Sequence, residues 1–228
     1  SNFETYLKRV WFSNGIHHHY SNAKLKPDFS KEYLAMLLKE TGTTLEGEAL
    51  DVIFNDKDAK KVNLSKEADI VKESAINFYG PDVTTADVEK YYDAIKVDSK
   101  EPIEIGLNTR LVKIDGKLVE EVYKSGGLYG EAIDKIIMWL EKAQGVAENE
   151  KQGVTLGLLI DYYKSGSLDT WDDYCISWAT STEGNIDWIN GFIEVYNDPK
   201  GYKGSYETVV QIKDFDMSKK MAALSKDA

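Results

Sequence analysis

Cysteine and histidine are scarce in this 228-residue chain, and each scarcity excludes a class of site. The chain has one cysteine, Cys175, so no disulfide can form within it. Cys175 stands in an apolar and aromatic stretch with no histidine close in sequence, which favours a buried thiol over a nucleophile. The lack of disulfides is compatible with the cytosol.

All three histidines are consecutive, at His17, His18 and His19. Because no histidine follows them, neither His-Glu-x-x-His nor His-Glu-x-x-x-His occurs, and a helical zinc-peptidase site cannot be built from this chain alone. A phosphate-binding loop and a Gly-x-Ser-x-Gly elbow are also missing from the sequence. Three interpretations of the histidines stay open: a solvated or hydrogen-bonded loop, a polar wall that faces a ligand, and a metal site.

Long apolar runs and excess positive charge are absent too. No run approaches the roughly 20 apolar residues that cross a bilayer, and no basic-then-apolar leader opens the sequence. The formal net charge of -11 disfavours nucleic acid and anionic membranes as partners. The acidic excess could attract peptide ammonium groups, or it could serve solubility alone. We expect a cytoplasmic location, and a periplasmic one stays open if a signal peptide has been removed.

Apolar residues recur every three or four positions along much of the chain, the spacing of amphipathic helices. Ser30, Thr84 and Ser167 are each well placed to cap a helix, and Gly42 to end one. The spacing predicts helices over residues 3–12, 31–41, 45–54, 85–95, 129–147, 152–164, 168–178 and the last dozen residues.

Strand signals interrupt these helices twice. Apolar residues alternate from Ile103 to Val122 around the turn Asp115-Gly116, a strong hairpin signal. Residues 186–196 and 206–212 form a second predicted strand pair. The order predicts an α+β fold, with a small antiparallel sheet or partial β-barrel surrounded by helices.

Two acids, Asp187 and Glu194, fall within the otherwise apolar run of the second strand pair. A carboxylate that points inward there needs a cationic or hydrogen-bonding partner. A structural salt bridge is the simpler interpretation, and a ligand contact is the functional one.

Four segments resemble the dipeptidyl-peptidase III family, in order and over nearly the whole chain. They are VWFSNGIHHHYSNAKLKP at 10–27, LNTRLVK at 107–113, LIDYYKSGSL at 159–168 and GFIEVYNDP at 191–199. The resemblance implies two lobes across a wide cleft, with zinc held by a His-Glu-x-x-x-His helix and a downstream Glu. Both zinc motifs of the family lie C-terminal to the part represented here. Residues 1–228 should therefore be a single α+β region, mainly the substrate-platform lobe, with zinc only in the full-length protein.

The same resemblance implies a peptide-binding role. Family members bind the peptide as an added strand, and the edge strand involved matches His19, Tyr20, Ser21 and Asn22. Asp187 holds the place of the acid that fixes the substrate's N-terminal ammonium, one methylene shorter than the usual Glu. A Tyr found in many members two residues later is Ile189 here.

The leading hypothesis is therefore an enzyme fragment with no catalytic residue of its own. Together with the missing zinc-binding lobe of the same polypeptide, it would release dipeptides from the N-termini of oligopeptides. The alternatives are a stand-alone peptide-binding module and a helical scaffold.

Overall fold

The computed structural model describes residues 1–45, 47–55, 60–96 and 104–226, and their fold is α+β. The predicted helices are confirmed with small changes at their ends. They are α1 Asn2–Phe12, α2 Lys31–Thr41, α3 Gly47–Phe54, α4 Thr85–Ile95, α5 Gly130–Gln144, α6 Glu150–Ser165, α7 Leu168–Ala179 and α8 Phe215–Lys226.

Side-chain caps set several of these helix starts. The hydroxyls of Ser30, Thr84 and Ser167 accept hydrogen bonds from the amides three residues onward, as the sequence predicts. Gly42 ends α2 in the left-handed region, with φ of 64°. Signals from neighbouring residues thus mark three helix starts and one helix end.

The strands form two separate antiparallel pairs within the described residues. Strand β1, Thr109–Ile114, pairs with β2, Lys117–Val122, around Asp115 and Gly116, both at positive φ. Strand β3, Ile186–Glu194, pairs with β4, Ser205–Ile212. The predicted start of the first strand at Ile103 lies outside the described residues.

The expectation of a partial barrel is wrong for the described part of the chain, since the two pairs do not join into one sheet. The chain leaves β2 into three successive helices, α5, α6 and α7, before β3 begins. These helices pack on β3. The small antiparallel sheets with helices around them are confirmed.

Two apolar clusters make up the core. The first joins α5, α6 and α7 to β3, with Ile133, Leu159, Tyr163, Trp171 and Phe192 among its buried members. The approach of β3 to α7 is so close that a Cβ on Gly191 would lie 2.5 Å from the Trp171 ring. The second cluster packs α4 on β1 and on residues 71–83.

The C-terminal part of the fold is much less buried. Every residue of α8 whose side chain is described is at least partly exposed, including Phe215, Met217, Met221 and Leu224. Val210 and Ile212 of β4 are also exposed, at 66% and 74%. Among the described residues, no helix combines the length and the apolar character needed to span a bilayer.

Candidate functional site

A cleft of about 1020 Å³ opens between the N-terminal segment and the second strand pair. One wall is the turn after α1, residues 13–19, together with residues 75–78. The other wall is formed by the first half of α5 and by residues 192–207. The cleft is large enough for several residues of a peptide.

The floor of the cleft is aromatic. The Tyr123 ring lies 4.9 Å from that of Phe192 and 5.3 Å from that of Tyr129. The Phe192 ring in turn lies 5.6 Å from that of Tyr206. Burial raises the pKa of Tyr123, so its phenol stays neutral. Such a floor suits apolar or aromatic side chains of a ligand.

Carboxylates line the β3–β4 side of the cleft. Glu194 follows a bulge at the end of β3, and Glu207 lies on β4. Partial burial and then the carboxylates of Glu194 and Glu207 raise the pKa of the Tyr196 phenol. Lys61 also lines the cleft, and burial lowers its pKa. The side of the cleft that carries Glu194 and Glu207 is therefore suited to a ligand cation.

Residues 19–22 form a turn in this structure, which corrects the expectation of an extended edge strand there. An isolated antiparallel β-bridge joins His17, before the turn, to Lys24, after it. Inside the turn, the amides of Tyr20 and Ser21 donate to His18 Nδ1 at 3.3 and 3.1 Å. These local bonds, and a left-handed Asn22 with φ of 59°, bend the chain back on itself.

Only part of the turn faces the cleft. The His19 side chain lines the cleft and lies edge-on to the Tyr196 ring, 6.4 Å away. Tyr20 contacts His19 but is 87% exposed. The Asn22 carbonyl accepts from the Lys61 amide at 3.0 Å, which ties the turn to the cleft wall. Of the four predicted contacts, only His19 borders the cleft.

Asp187 lies near the start of β3, seven positions before Glu194, and does not line the cleft. A separation of seven strand residues is about 23 Å. Its Oδ1 accepts from the Trp178 indole at 3.0 Å and from the Trp188 amide at 2.8 Å. The expected salt bridge is thus replaced by a hydrogen bond to an indole.

The described residues do not fit a metal site. No group of three His, Cys, Asp or Glu side chains comes close enough among them to hold an ion. His17 is buried in the wall of the cleft, and His19 faces Tyr196. The placement of His17 and His19 agrees with the interpretation as a polar wall, whereas His18 agrees with that of a hydrogen-bonded loop.

The sequence singled out Glu194 as a possible ligand contact, and this residue does line the cleft. Sequence reasoning missed other cleft residues, of which Phe192 and Tyr196 lie within the GFIEVYNDP motif that could have pointed to them. Glu207 and Tyr123 carry no comparable signal, because they reach the cleft only through strand pairing and packing.

The family model described as Peptidase family M49 matches residues 53–228, which contain both strand pairs and most of the cleft. The chain belongs to peptidase family M49. Among curated proteins, dipeptidyl peptidase 3 of Dictyostelium discoideum is 24% identical over all of this chain. Dipeptidyl peptidase 3 of Homo sapiens is 32% identical over 43% of this chain and 13% of its own length.

Two solved structures of dipeptidyl-peptidase III proteins share the fold. The DPP III structure from Caldithrix abyssi matches 98% of this chain with a TM-score of 0.54 and 17% identity. The one from Corallococcus sp. strain EGB matches 85% with a TM-score of 0.53 and 18% identity. This chain spans 35% of the length of the Dictyostelium relative and 42% of the Caldithrix chain.

Proposed function

We propose that this chain is the substrate-platform lobe of a zinc-dependent dipeptidyl peptidase that removes dipeptides from the N-termini of oligopeptides. Membership of family M49 supports a peptidase, and the curated relatives bear the name dipeptidyl peptidase 3. The observation that carries the proposal is the cleft itself, which combines an aromatic floor with an acidic rim.

A peptide with a free N-terminus complements this cleft. Its ammonium would pair with a carboxylate, and a charge-assisted hydrogen bond of this kind is stronger than a neutral one. Fixing the amine also fixes how many residues extend beyond it, which is what a dipeptide-releasing enzyme requires. Side chains of the peptide would pack on Tyr123, Phe192 and Tyr206.

The turn residues take part at the mouth of the cleft. His19 would contact the peptide directly, whereas Tyr20, Ser21 and Asn22 would shape the entrance or pair with an incoming strand. Asp187 is the ammonium partner that the family resemblance implies. Glu194 and Glu207, which line the cleft, are the competing candidates for that role.

Catalysis would belong to the remainder of the polypeptide. The described residues hold no group of three side chains that fits a zinc ion. As the family resemblance implies, the zinc of the full-length enzyme would be held by residues outside this chain. The exposed apolar side chains of β4 and α8 form a surface suited to contact that remaining lobe.

Two measurements test the proposal. In the first, a fluorescent oligopeptide with a free N-terminus should bind the 228-residue chain, and the matched N-acetylated peptide should bind at least tenfold more weakly. In the second, the full-length protein should hydrolyse a dipeptidyl arylamide and the 228-residue chain should not.

The remaining outcomes point to other functions. Turnover by the 228-residue chain alone would contradict the proposal. Binding without any hydrolysis by the full-length protein would favour a peptide-binding module. If the 228-residue chain binds no peptide and the full-length protein hydrolyses no arylamide, a scaffold role would be favoured.

A further inference from the structure

Charges of opposite sign lie on opposite walls of the cleft. Among the described residues that line it, Lys61 is the only lysine or arginine, and Glu194 and Glu207 are the only acids. Both acids belong to the β3–β4 side. Lys61 belongs to the other wall, because the hydrogen bond from its amide joins it to the turn at residues 19–22. A ligand that carries both charges can therefore be oriented across the cleft.

The main chain around Lys61 is held in place on both sides. The Lys61 amide donates to the Asn22 carbonyl at 3.0 Å, and the Ala75 amide donates to the Lys60 carbonyl at 3.0 Å. The next residue, Val62, is buried. A side chain on a fixed segment of this kind is preorganised, because its main chain loses little freedom when a ligand binds.

The ammonium of Lys61 has no partner within the part of the chain that the structure describes. No ion pair there includes Lys61, and its Nζ donates no hydrogen bond. The side chain is half-buried, and burial lowers the pKa of Lys61 with no carboxylate acting against it. A partly buried charge without a partner is unfavourable, so an anionic group of a ligand would stabilise it.

We propose that Lys61 binds a carboxylate of the peptide, so that the cleft selects peptides with a negative charge on the side away from Glu194 and Glu207. The C-terminus or an acidic side chain can supply this carboxylate, and the contact is a charge-assisted hydrogen bond in both cases. Because the peptide's ammonium goes to the acidic side of the cleft, the two charges together fix which way the peptide lies. The inference rests on the peptide-binding function proposed above.

Calorimetric titration of the 228-residue chain with three matched tetrapeptides tests the contact. The parent peptide is Ala-Phe-Glu-Ala with both termini free, the second carries a C-terminal amide, and the third has Gln in place of Glu. One of the two neutralised peptides should bind about tenfold more weakly than the parent, as expected for the loss of one charge-assisted hydrogen bond. Weaker binding of the amide identifies the C-terminus as the source, and weaker binding of the Gln peptide identifies the side chain. Equal affinity of all three peptides would overturn the inference.

Three variants attribute the preference to Lys61. Lys61→Met removes the charge and keeps the aliphatic stem, so it should bind the three peptides equally. Lys61→Arg keeps the charge and should keep the preference. Lys60→Met is the matched control, because Lys60 is exposed and its loss changes the net charge by the same amount, and the preference should again be kept. A preference in Lys61→Met as large as in the wild-type chain would overturn the inference.

The NMR signals of the Lys61 side chain decide the question if Lys61→Met fails to fold. In the wild-type chain, the parent peptide should shift these signals, and the peptide that lacks the bound carboxylate should not. Equal shifts with all three peptides would overturn the inference.

Hydrolysis by the full-length protein separates this inference from the proposed function. If the preference depends on Lys61 but the full-length protein hydrolyses no dipeptidyl arylamide, the inference is supported and the peptidase function is overturned. If the arylamide is hydrolysed but the three peptides bind alike, the inference is overturned and the peptidase function is supported. If none of the three peptides binds, the inference and the peptide-binding function are overturned together.

Discussion

The Tyr79 hydroxyl donates a 2.7 Å hydrogen bond to the buried Asp198 carboxylate, across 119 positions of sequence. The same carboxylate accepts from the amides of Tyr202 and Lys203. One acid thereby organises the loop between β3 and β4 and joins it to the segment that precedes β1.

Removing this phenol should destabilise the fold. We expect Tyr79→Phe to lower the free energy of unfolding by about 1.5–3 kcal/mol, the usual range for a hydrogen bond to a charged group. Urea denaturation at pH 7 measures the change. Tyr20→Phe is the control, because Tyr20 is exposed, and its effect should stay within about 0.5 kcal/mol. Equal effects of the two substitutions would show that the bond to Asp198 does not contribute.

Asp87 should make stability depend on acidic pH. The Lys113 ammonium, 2.6 Å away, and then the Thr84 hydroxyl lower the pKa of Asp87 to about 2. Its stabilising effect is complete above the unfolded pKa of about 3.9 and is lost as the pH falls towards 2. The free energy of unfolding of the wild-type chain should therefore exceed that of Asp87→Asn by about 1 kcal/mol at pH 6 and converge with it near pH 2.

Asp93→Asn is the control for this titration, because Asp93 is an exposed acid on the same helix. Urea unfolding at intervals from pH 2 to pH 6 should give Asp93→Asn the same profile as the wild-type chain. A constant gap between wild-type and Asp87→Asn over that range would rule out the linkage.

Gly191 should tolerate no side chain. A Cβ there would meet the Trp171 ring at 2.5 Å, so we expect Gly191→Ala to cost about 1–3 kcal/mol through overpacking. Gly153→Ala is the matched control, because Gly153 lies in α6 and a Cβ there would meet only the Ala147 side chain, at 3.7 Å. That variant should gain about 0.4–1 kcal/mol. Thermal unfolding of both variants checks the prediction, and destabilisation of similar size in both would contradict it.

The ammonium partner can be identified by neutralising each candidate in the full-length protein. If Asp187 fixes the ammonium, Asp187→Asn should raise KM about tenfold or more while kcat changes less, because the lost contact contributes mainly to substrate binding. Glu194→Gln and Glu207→Gln should then have smaller effects on KM. An unchanged KM in Asp187→Asn, with a raised KM in Glu194→Gln, would transfer the role to the cleft carboxylate.

Elements fixed by neighbouring residues were predictable from the sequence. Ser30 and Thr84 mark helix starts because their hydroxyls bond to amides three residues away. Asp115-Gly116 marks the hairpin because both residues accept positive φ. The family resemblance, carried by four segments, was confirmed by the match over residues 53–228.

Features that depend on distant partners could not be predicted. The buried Lys203 ammonium donates to Tyr92 and Glu120 across 111 and 83 sequence positions, and nothing near it in sequence distinguishes it from an exposed lysine. The edge strand expected at residues 19–22 came from the family resemblance, which does not reveal that local amides bond to the His18 ring. The position of Glu207 in the cleft could be recognised only from the pairing of β4 with β3.

The outward-facing side of β4 also determines how the chain behaves in concentrated solution. In the described part of the chain β4 pairs only with β3, and its sequence SYETVVQI is β-prone. An open strand edge flanked by exposed Val210 and Ile212 can act as a template for a strand from another molecule. We therefore expect the chain to self-associate when it is produced by itself, and Val210→Lys to counter this by placing a charge on the strand.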